Sequence, residues 1–520
     1  MADVIPRVDI NQKQQSLLQW RARPIDADFF NKVIPSRAFL YPVFAILCAL
    51  KILSVFAVIP LADEGYYWLW GKNLSWSYYD HPPLGGWYLG AINALFGDSL
   101  YVSRAGTLPV FAGTLCVLWY WVKRLTPNVS MRRDVFITSV GVMIATPWML
   151  QYQSILFHDY LLIGTGIGAA HFFALFVEKI DQDERPYRYL YAACIFLGLA
   201  GLSKYSGVFI GLGFGLWVLL SPKGRKLLNS PHLYFAAGVA VAMQMPVLYW
   251  NHMHGWPSFQ YNLYDRIGDT MNPNPWYRLG EFAKNFILLI SPLMFLALVR
   301  FVVQPSENPV LKAFQMPGRF VFAVSTLVFA GLCFSTSVLF YWNVTALLFF
   351  LPVALFFFTS AFEIRMHMIW GIFFSAMAVF NATIFPLTAL SDSKMSDFNI
   401  SHGLQEVAAI VEEEEARLKP EMLLTTDYRT ASLLALTTQR TDISSMGLRE
   451  DMFDFWFKPE EHKGQNALVL VYDRFPETEL ITTNFEKVST VREFTIRRYG
   501  HDLQNYKLVY AENYSGEGQH

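Results

Sequence analysis

Two adjacent carboxylates, Asp63 and Glu64, open a stretch that continues Gly65-Tyr66-Tyr67-Trp68 and is followed by Tyr78-Tyr79-Asp80-His81-Pro82-Pro83-Leu84. The pair stands where a long apolar run, Ala38 to Leu61, stops. Ionisable groups are costly in hydrocarbon, so acids placed directly after such a run belong at a water-facing interface. One carboxylate there can serve as a general base toward an acceptor hydroxyl if it is held within hydrogen-bond reach. The same acids can instead cap the aromatic helix that follows, because a helix dipole favours negative charge in the first turn. Spacing alone gives the two readings equal weight.

Other candidates are scattered along the chain. Asp159 follows His158 inside the apolar sequence Ile155 to Leu162, and an ionisable residue in such a run is by default a functional-site hypothesis. Lys204 interrupts two apolar segments within Gly201-Leu202-Ser203-Lys204-Tyr205-Ser206-Gly207; it can bind phosphate as a point charge or snorkel to the interface. His252 and His254, in Trp250-Asn251-His252-Met253-His254-Gly255-Trp256, could share a face as metal ligands, but no third ligand is spaced to join them. Arg266 can pair bidentately with phosphate, or simply with Asp269 or a lipid headgroup. Lys51, in the middle of the first apolar run, has no role that its sequence suggests.

The elements that must position these groups are membrane helices. Of 520 residues, 53% are hydrophobic, 16% aromatic and only 16% charged, with a mean hydropathy of +0.28; this balance marks a multi-spanning membrane protein. A net charge of −1 offers no basic domain for nucleic acid. The four cysteines, Cys48, Cys116, Cys194 and Cys333, lie apart in apolar runs and read as packing residues. Residues 1–37 read as a cytoplasmic lead rather than a signal peptide. Residues 38–387 hold runs of about spanning length, taken at ~20 residues per helix: Ala38 to Leu61, Arg104 to Val122, Asp134 to Leu150, Ile155 to Val177, Tyr189 to Leu202, Tyr205 to Leu220, Leu233 to Trp250, Phe282 to Val302, Phe320 to Leu339, Val344 to Ala361 and Met366 to Leu387. The reading is mainly α: a polytopic bundle of about eleven to thirteen transmembrane helices.

Loop charge sets the orientation, since short cytoplasmic loops are rich in Lys and Arg. Lys123 to Arg133, Lys179 to Arg188, Lys223 to Lys226, Arg300 to Arg319 and Arg365 mark the inside. The Asp63 loop, Asp159, Lys204 and the loop from Trp250 to Arg278 then share the outer face. Pro82 to Gly97 cannot be a full span without inverting every later loop, and reads as an interfacial or re-entrant helix. Residues 388–520 form a small soluble α/β domain, on the outside by helix count. Its expected helices are His402 to Leu418 and Tyr428 to Thr437; its expected strands are Glu421 to Thr426, Ala467 to Asp473, Phe494 to Arg498 and Tyr506 to Tyr510. The acidic run Glu412 to Glu415 reads as a solvated helix face.

Taken in order, Asp63-Glu64 with its aromatics, Tyr79-Asp80-His81-Pro82-Pro83-Leu84, Leu95-Phe96-Gly97 with Arg104, Asp159, Leu202-Ser203-Lys204-Tyr205 and Trp250-Asn251 resemble the bacterial branch of the GT-C glycosyltransferases. That branch is related to protein O-mannosyltransferases and to lipid A aminoarabinose and galacturonic acid transferases. The resemblance spans roughly Phe39 to Phe350; the acidic pair together with the His-Pro-Pro-Leu element is its most specific part. It implies a GT-C membrane bundle and an inverting transferase that uses a sugar linked through phosphate to a polyprenyl lipid. By carry-over Asp63 is the base, Asp159 a second acid that positions acceptor or sugar, and Lys204 with Arg266 the donor-phosphate site. Glu64 is grouped with the catalytic acids, and Tyr66, Tyr67, Tyr79, His81, His254 and Trp256 would line the substrate cavity. No nucleotide-binding loop is present, which suits a lipid-linked donor. No organic cofactor is called for, and room is left for a divalent metal.

His81 stands where aminoarabinose transferases typically carry Lys, which weakens the transfer of their donor specificity. The pattern looks closer to transferases acting on envelope glycolipids, lipid A or lipopolysaccharide, than to those acting on proteins. The implied setting is the bacterial inner membrane, with the active site facing the periplasm and membrane lipids around it. Protein O-glycosylation by the same chemistry is the alternative. A lipid or solute transporter is the third reading, disfavoured because the polar residues show no repeat symmetry.

Overall fold

The computed structural model describes residues 25–182, 184–265, 272–390, 397–476 and 479–517. Arg266 and Asp269 lie outside the described residues. Among the described residues, five helices are long and apolar enough to cross a membrane: Arg37–Phe56, Leu100–Leu125, Asp159–Asp181, Pro309–Leu332 and Ala361–Thr383. Counting each of three bent helix pairs as one span raises the number to eight. Two shorter apolar segments, Tyr187–Ser203 and Tyr205–Leu220, accompany them. Asp159–Asp181 is the central helix, 78% buried against 28–44% for the other four. Large apolar side chains such as Ile52, Phe235, Leu327 and Phe373 instead point outward, as a lipid-facing surface requires.

The spans depart from the sequence reading mainly at prolines. Phe282 to Val302 is not one helix, because Pro275–Ile290 and Pro292–Val303 meet at 101°; Pro292 supplies no N–H and its ring opposes the preceding turn. Val344 to Ala361 is not an α-helix: two 3₁₀ segments, Phe340–Leu347 and Leu351–Phe357, meet at 79°. Asp134 to Leu150 divides into Arg132–Ile144 and Pro147–Tyr152, and Leu233 to Trp250 bends by 43°. The first helix ends at Phe56 rather than Leu61, so a short non-helical turn precedes the acidic pair. The Pro82 to Gly97 segment contains the 13-residue helix Leu84–Phe96. At 1.5 Å per residue that is about 20 Å, too short for a hydrocarbon core of about 30 Å.

The C-terminal part carries a five-stranded sheet: β1 (Met422–Thr425), β2 (Ile443–Ser445), β3 (Ala467–Tyr472), β4 (Phe485–Arg498) and β5 (His501–Tyr514), in the order β2-β1-β3-β5-β4. β1 runs parallel to β2 and β3, whereas β5 is antiparallel to β3 and β4. The helix Tyr428–Thr438 makes the crossover from β1 to β2. β3, with its unbroken apolar sequence, is buried along its whole length. β4 and β5 are longer than Phe494 to Arg498 and Tyr506 to Tyr510: exposed charged residues along the edge strand β4 hide its alternation, and β5 pairs with it over its whole length. Tyr499 and Gly500 close their hairpin with φ of 50° and 83°, the two positive values that a tight type I′ turn demands. In the acidic run Glu413 and Glu414 pair with Arg492, and Glu415 with Arg440, tying the helix Leu404–Leu418 to its own domain.

Candidate active site

The adjacent acids part company on folding. Both lie in the first turn of the helix Ala62–Lys72, but their side chains leave it about 100° apart, as neighbours on a 3.6-residue helix must. Glu64 is fully buried and saturated. Its Oε1 accepts from Arg104 Nε at 2.8 Å and from Leu156 N at 3.0 Å. Its Oε2 accepts from Arg104 Nη2 at 2.5 Å and from the helix-capping Leu61 N at 3.0 Å. Four bonds occupy the roughly four acceptor positions of a carboxylate. Arg104, itself fully buried, also donates to the carbonyls of Val58 and Ile59 at 2.6 and 3.1 Å. Glu64 thereby joins the end of the first span, the acid-bearing helix and the segment before Asp159.

Asp63 is half-buried and faces the other way, toward aromatic rings and the C-terminal domain. Tyr428 Oη donates to Asp63 Oδ1 at 3.5 Å. Tyr66 lies one turn on; its hydroxyl donates to Asp80 Oδ2 at 2.8 Å and accepts from Met452 N at 2.8 Å. Arg449 pairs with the remaining Asp80 oxygen, its guanidinium 4.6 Å from the Tyr261 ring and 5.2 Å from the Tyr428 ring.

Asp159 begins the central helix and Lys204 caps the end of its antiparallel neighbour, Tyr187–Ser203. An acid at a helix N-terminus and a cation at a C-terminus are each favoured by the dipole. Lys204 Nζ donates to both Asp159 oxygens at 2.9 Å and lies 5.1 Å from the Tyr341 ring centre. Rings lead from this pair to the acid-bearing helix: Tyr341 and Tyr152 lie 5.2 Å apart, Tyr152 and Phe157 5.3 Å, and Phe157 and Tyr67 6.2 Å. Burial holds the Tyr152 hydroxyl protonated well above its ordinary range, and Tyr341, Asp159 and Asp63 act in the same direction. Burial does the same for Tyr67, reinforced by Asp63, Tyr428, Asp80 and Tyr341. The run of rings continues from Tyr67 through Tyr66 to Tyr428, the partner of Asp63, so the two acids and the cation border one aromatic cluster.

His81 packs edgewise into its wall, 4.3 Å from the His158 ring and 6.3 Å from those of Tyr67 and Trp70. Tyr79 is buried against Tyr261 and Phe455. His254 is farther out: Nδ1 bonds the Trp250 carbonyl at 2.7 Å, and its ring meets the group through Trp250, on which it stacks at 4.4 Å, and through Phe455. Trp256 is 43% exposed and leads through Phe259 to Tyr205; it is not brought against the acids. His252 rests beside the Trp256 ring, and among the described residues no three His, Cys, Asp or Glu side chains converge as a metal set. Lys51 acquires a structural role, since its ammonium donates to Gln153 O at 2.9 Å and Ser154 Oγ at 3.1 Å. The segment leading to Asp159 is thereby held by Lys51 on one side and Glu64 on the other.

Sequence reading missed Tyr152, Tyr341, Tyr428 and Arg449, and gave His158 no part. His158 is buried, its ring 4.0 Å from that of Tyr67, and neither nitrogen has a partner among the described residues. Its position beside Asp159 was the available signal. Tyr428 and Arg449 carry none, since more than 350 residues separate each from its carboxylate partner.

A helical membrane body whose acids and lysine meet at helix ends, under a small α/β domain, has the fold of the GT-C glycosyltransferases, and the chain is a multi-pass membrane protein of that fold. The family described as dolichyl-phosphate-mannose-protein mannosyltransferase matches residues 80–250. Lipid A galacturonosyltransferase RgtD of Rhizobium johnstonii is 24% identical over 247 residues, 46% of this chain and 48% of that protein; the chain spans about half the length of this curated relative. ArnT from Cupriavidus metallidurans, in a crystal structure with undecaprenyl phosphate, superposes with a TM-score of 0.58 at 15% identity over 93% of this chain and 100% of that one. Its apo form gives 0.56 at 13% identity, over 91% and 98%. All three relatives are GT-C glycosyltransferases, and they bear out the resemblance carried by the motifs.

Proposed function

We propose that this protein is an inverting glycosyltransferase that moves a sugar from a polyprenyl-phosphate-linked donor to a hydroxyl or phosphate of lipid A or lipopolysaccharide. In this reading residues 38–387 cross the bacterial inner membrane as about eleven to thirteen spans. The preceding lead is cytoplasmic; the site and residues 388–520 face the periplasm. The carrying observation is that Asp63 and the Asp159–Lys204 pair border one run of aromatic rings, Tyr428, Tyr66, Tyr67, Phe157, Tyr152 and Tyr341. Asp63 takes the proton of the acceptor hydroxyl as its oxygen bonds the anomeric carbon. The bond from that carbon to the phosphate oxygen breaks on the opposite face, and the lipid phosphate departs with the electron pair. An ammonium carries three N–H donors. Asp159 holds two of them, fixing Lys204 where a preorganised cation favours the charge growing on the leaving phosphate. Arg266 is assigned to the same phosphate. The aromatic walls suit a substrate that is half lipid and half sugar.

The activity by which RgtD is named and the undecaprenyl phosphate bound to ArnT favour a lipid acceptor and a polyprenyl carrier. The mannosyltransferase family match supports the alternative, a protein acceptor with the same donor type. Mass spectrometry of envelope lipids and of periplasmic glycopeptides from strains with and without the gene separates them. Loss of a sugar from lipid A or lipopolysaccharide is expected; loss from glycopeptides alone would replace the first reading with the second.

A further inference from the structure

The C-terminal domain does not stand apart from the candidate site. Gly65 is pressed against the crossover helix Tyr428–Thr438: a Cβ added there would lie 2.4 Å from Ser432 O. That contact brings the start of the soluble helix over the first turn of Ala62–Lys72, where Asp63 sits. Asp427 caps the helix by accepting from Arg429 N at 3.0 Å and Thr430 N at 3.3 Å, so Tyr428 occupies a fixed first-turn position. Its ring lies 4.9 Å from that of Tyr66, and its hydroxyl is directed at Asp63 Oδ1. Arg449 and Met452 reach the same patch through Asp80, Tyr66 and the Tyr79 N–H, which donates to Met452 Sδ at 3.1 Å, adding polar connections to the apolar contact.

We propose that Tyr428 is a positioning residue for the transfer reaction, donating a hydrogen bond that orients the Asp63 carboxylate, so that the soluble domain completes the active site of the membrane domain. The inference rests on Asp63 being the base. The separation of 3.5 Å is long for an O–H···O bond, and catalytic bonds of this kind tighten when substrate fills the site. A donor on one oxygen fixes the carboxylate's rotation and favours its charged form. The titratable groups that act with Asp63 include Tyr67 on its own helix, Tyr152 from the segment before Asp159, and Tyr428 from the α/β domain. Arg429, Arg449 and Asp80 act on Tyr428 beside them. The Tyr428 hydroxyl donates to the Asp63 carboxylate from the α/β domain.

The test measures transfer by the full-length protein in lipid nanodiscs, with undecaprenyl-phosphate-linked galacturonic acid as donor and lipid A as acceptor, across pH 4.5–9. Tyr428→Phe keeps the ring against Tyr66 and removes only the hydroxyl. It is expected to lower kcat about tenfold, the scale of one hydrogen bond to a charged group, with little change in donor KM. The acid limb of the kcat profile moves to higher pH, because the carboxylate has lost a donor. Replacing Tyr428 with 3-fluorotyrosine, a more acidic donor of nearly the same shape, moves the limb the other way and keeps the test decisive if the Phe variant folds poorly. A purely structural tyrosine would change the amount of folded protein and leave the limb in place. An active wild type whose acid limb ignores both substitutions overturns this inference alone; a wild type that transfers no sugar from any polyprenyl-phosphate donor to any envelope acceptor overturns the functional reading and this inference together.

Discussion

Glu64→Gln separates structure from chemistry at the acidic pair. Glutamine matches glutamate in shape but presents one oxygen and one NH₂ where the carboxylate presents two oxygens. In the folded protein each carboxylate oxygen receives two donors: Arg104 Nε and Leu156 N on one, Arg104 Nη2 and Leu61 N on the other. Either orientation of the amide therefore sets an NH₂ against two N–H groups, one of them on a buried guanidinium that has also lost its counter-charge. Each buried donor left unsatisfied costs about 1–3 kcal/mol, and breaking a buried ion pair by removing one charge costs about 3–5 kcal/mol. These overlap, so the expected loss is about 3–5 kcal/mol, with activity falling in proportion to unfolded or misassembled protein. Graded denaturation of the detergent-solubilised protein, compared with Asp63→Asn, reads it. Asp63→Asn should unfold with the wild type while transfer drops by about 10²–10⁴. A Glu64→Gln variant within about 1 kcal/mol of wild type but without turnover would refute the division of roles and return Glu64 to the chemistry.

Three further outcomes are expected. Lys204→Ala impairs use of the polyprenyl-phosphate donor by about 10²–10³, and steady-state kinetics with varied donor that match wild type would remove Lys204 from the phosphate site. Gly65→Ala drives a methyl into the Ser432 backbone; overpacking of about 1–3 kcal/mol loosens the domain docking, to be seen as faster proteolysis within residues 397–517, and unchanged cleavage would count against a tight interface. Burial, reinforced by Asp454, raises the Asp451 carboxyl well above the usual range. Its stabilising contribution is complete below about pH 4 and is lost as pH rises through the raised value. Asp451→Asn, which can still cap Phe453 N, should therefore be more stable than wild type at pH 7 and equal to it near pH 3 in the same denaturation assay.

Apolar run length and composition suffice to specify a multi-spanning membrane protein, because hydrocarbon admits only segments whose backbone is satisfied internally. The switch in pattern after Leu387 is enough to separate a sheet-containing end, whose buried β3 stands out as a continuous apolar sequence. The residues Asp63, Asp159 and Lys204 were legible as candidates for the same reason: charge is rare and costly beside apolar runs. Where the spans break was read less well, since a proline within an apolar run lowers hydropathy little yet removes a backbone donor, as at Pro292. Only the tertiary structure could divide Asp63 from Glu64. Adjacent residues share every feature of composition and spacing, and what distinguishes them is which face meets Arg104 and which meets the C-terminal α/β part. The same holds for Tyr341 beside Lys204 and Tyr428 beside Asp63. Such pairings form between segments whose separation along the chain leaves no periodicity to read, and they exist only once the helix ends and the α/β domain have packed.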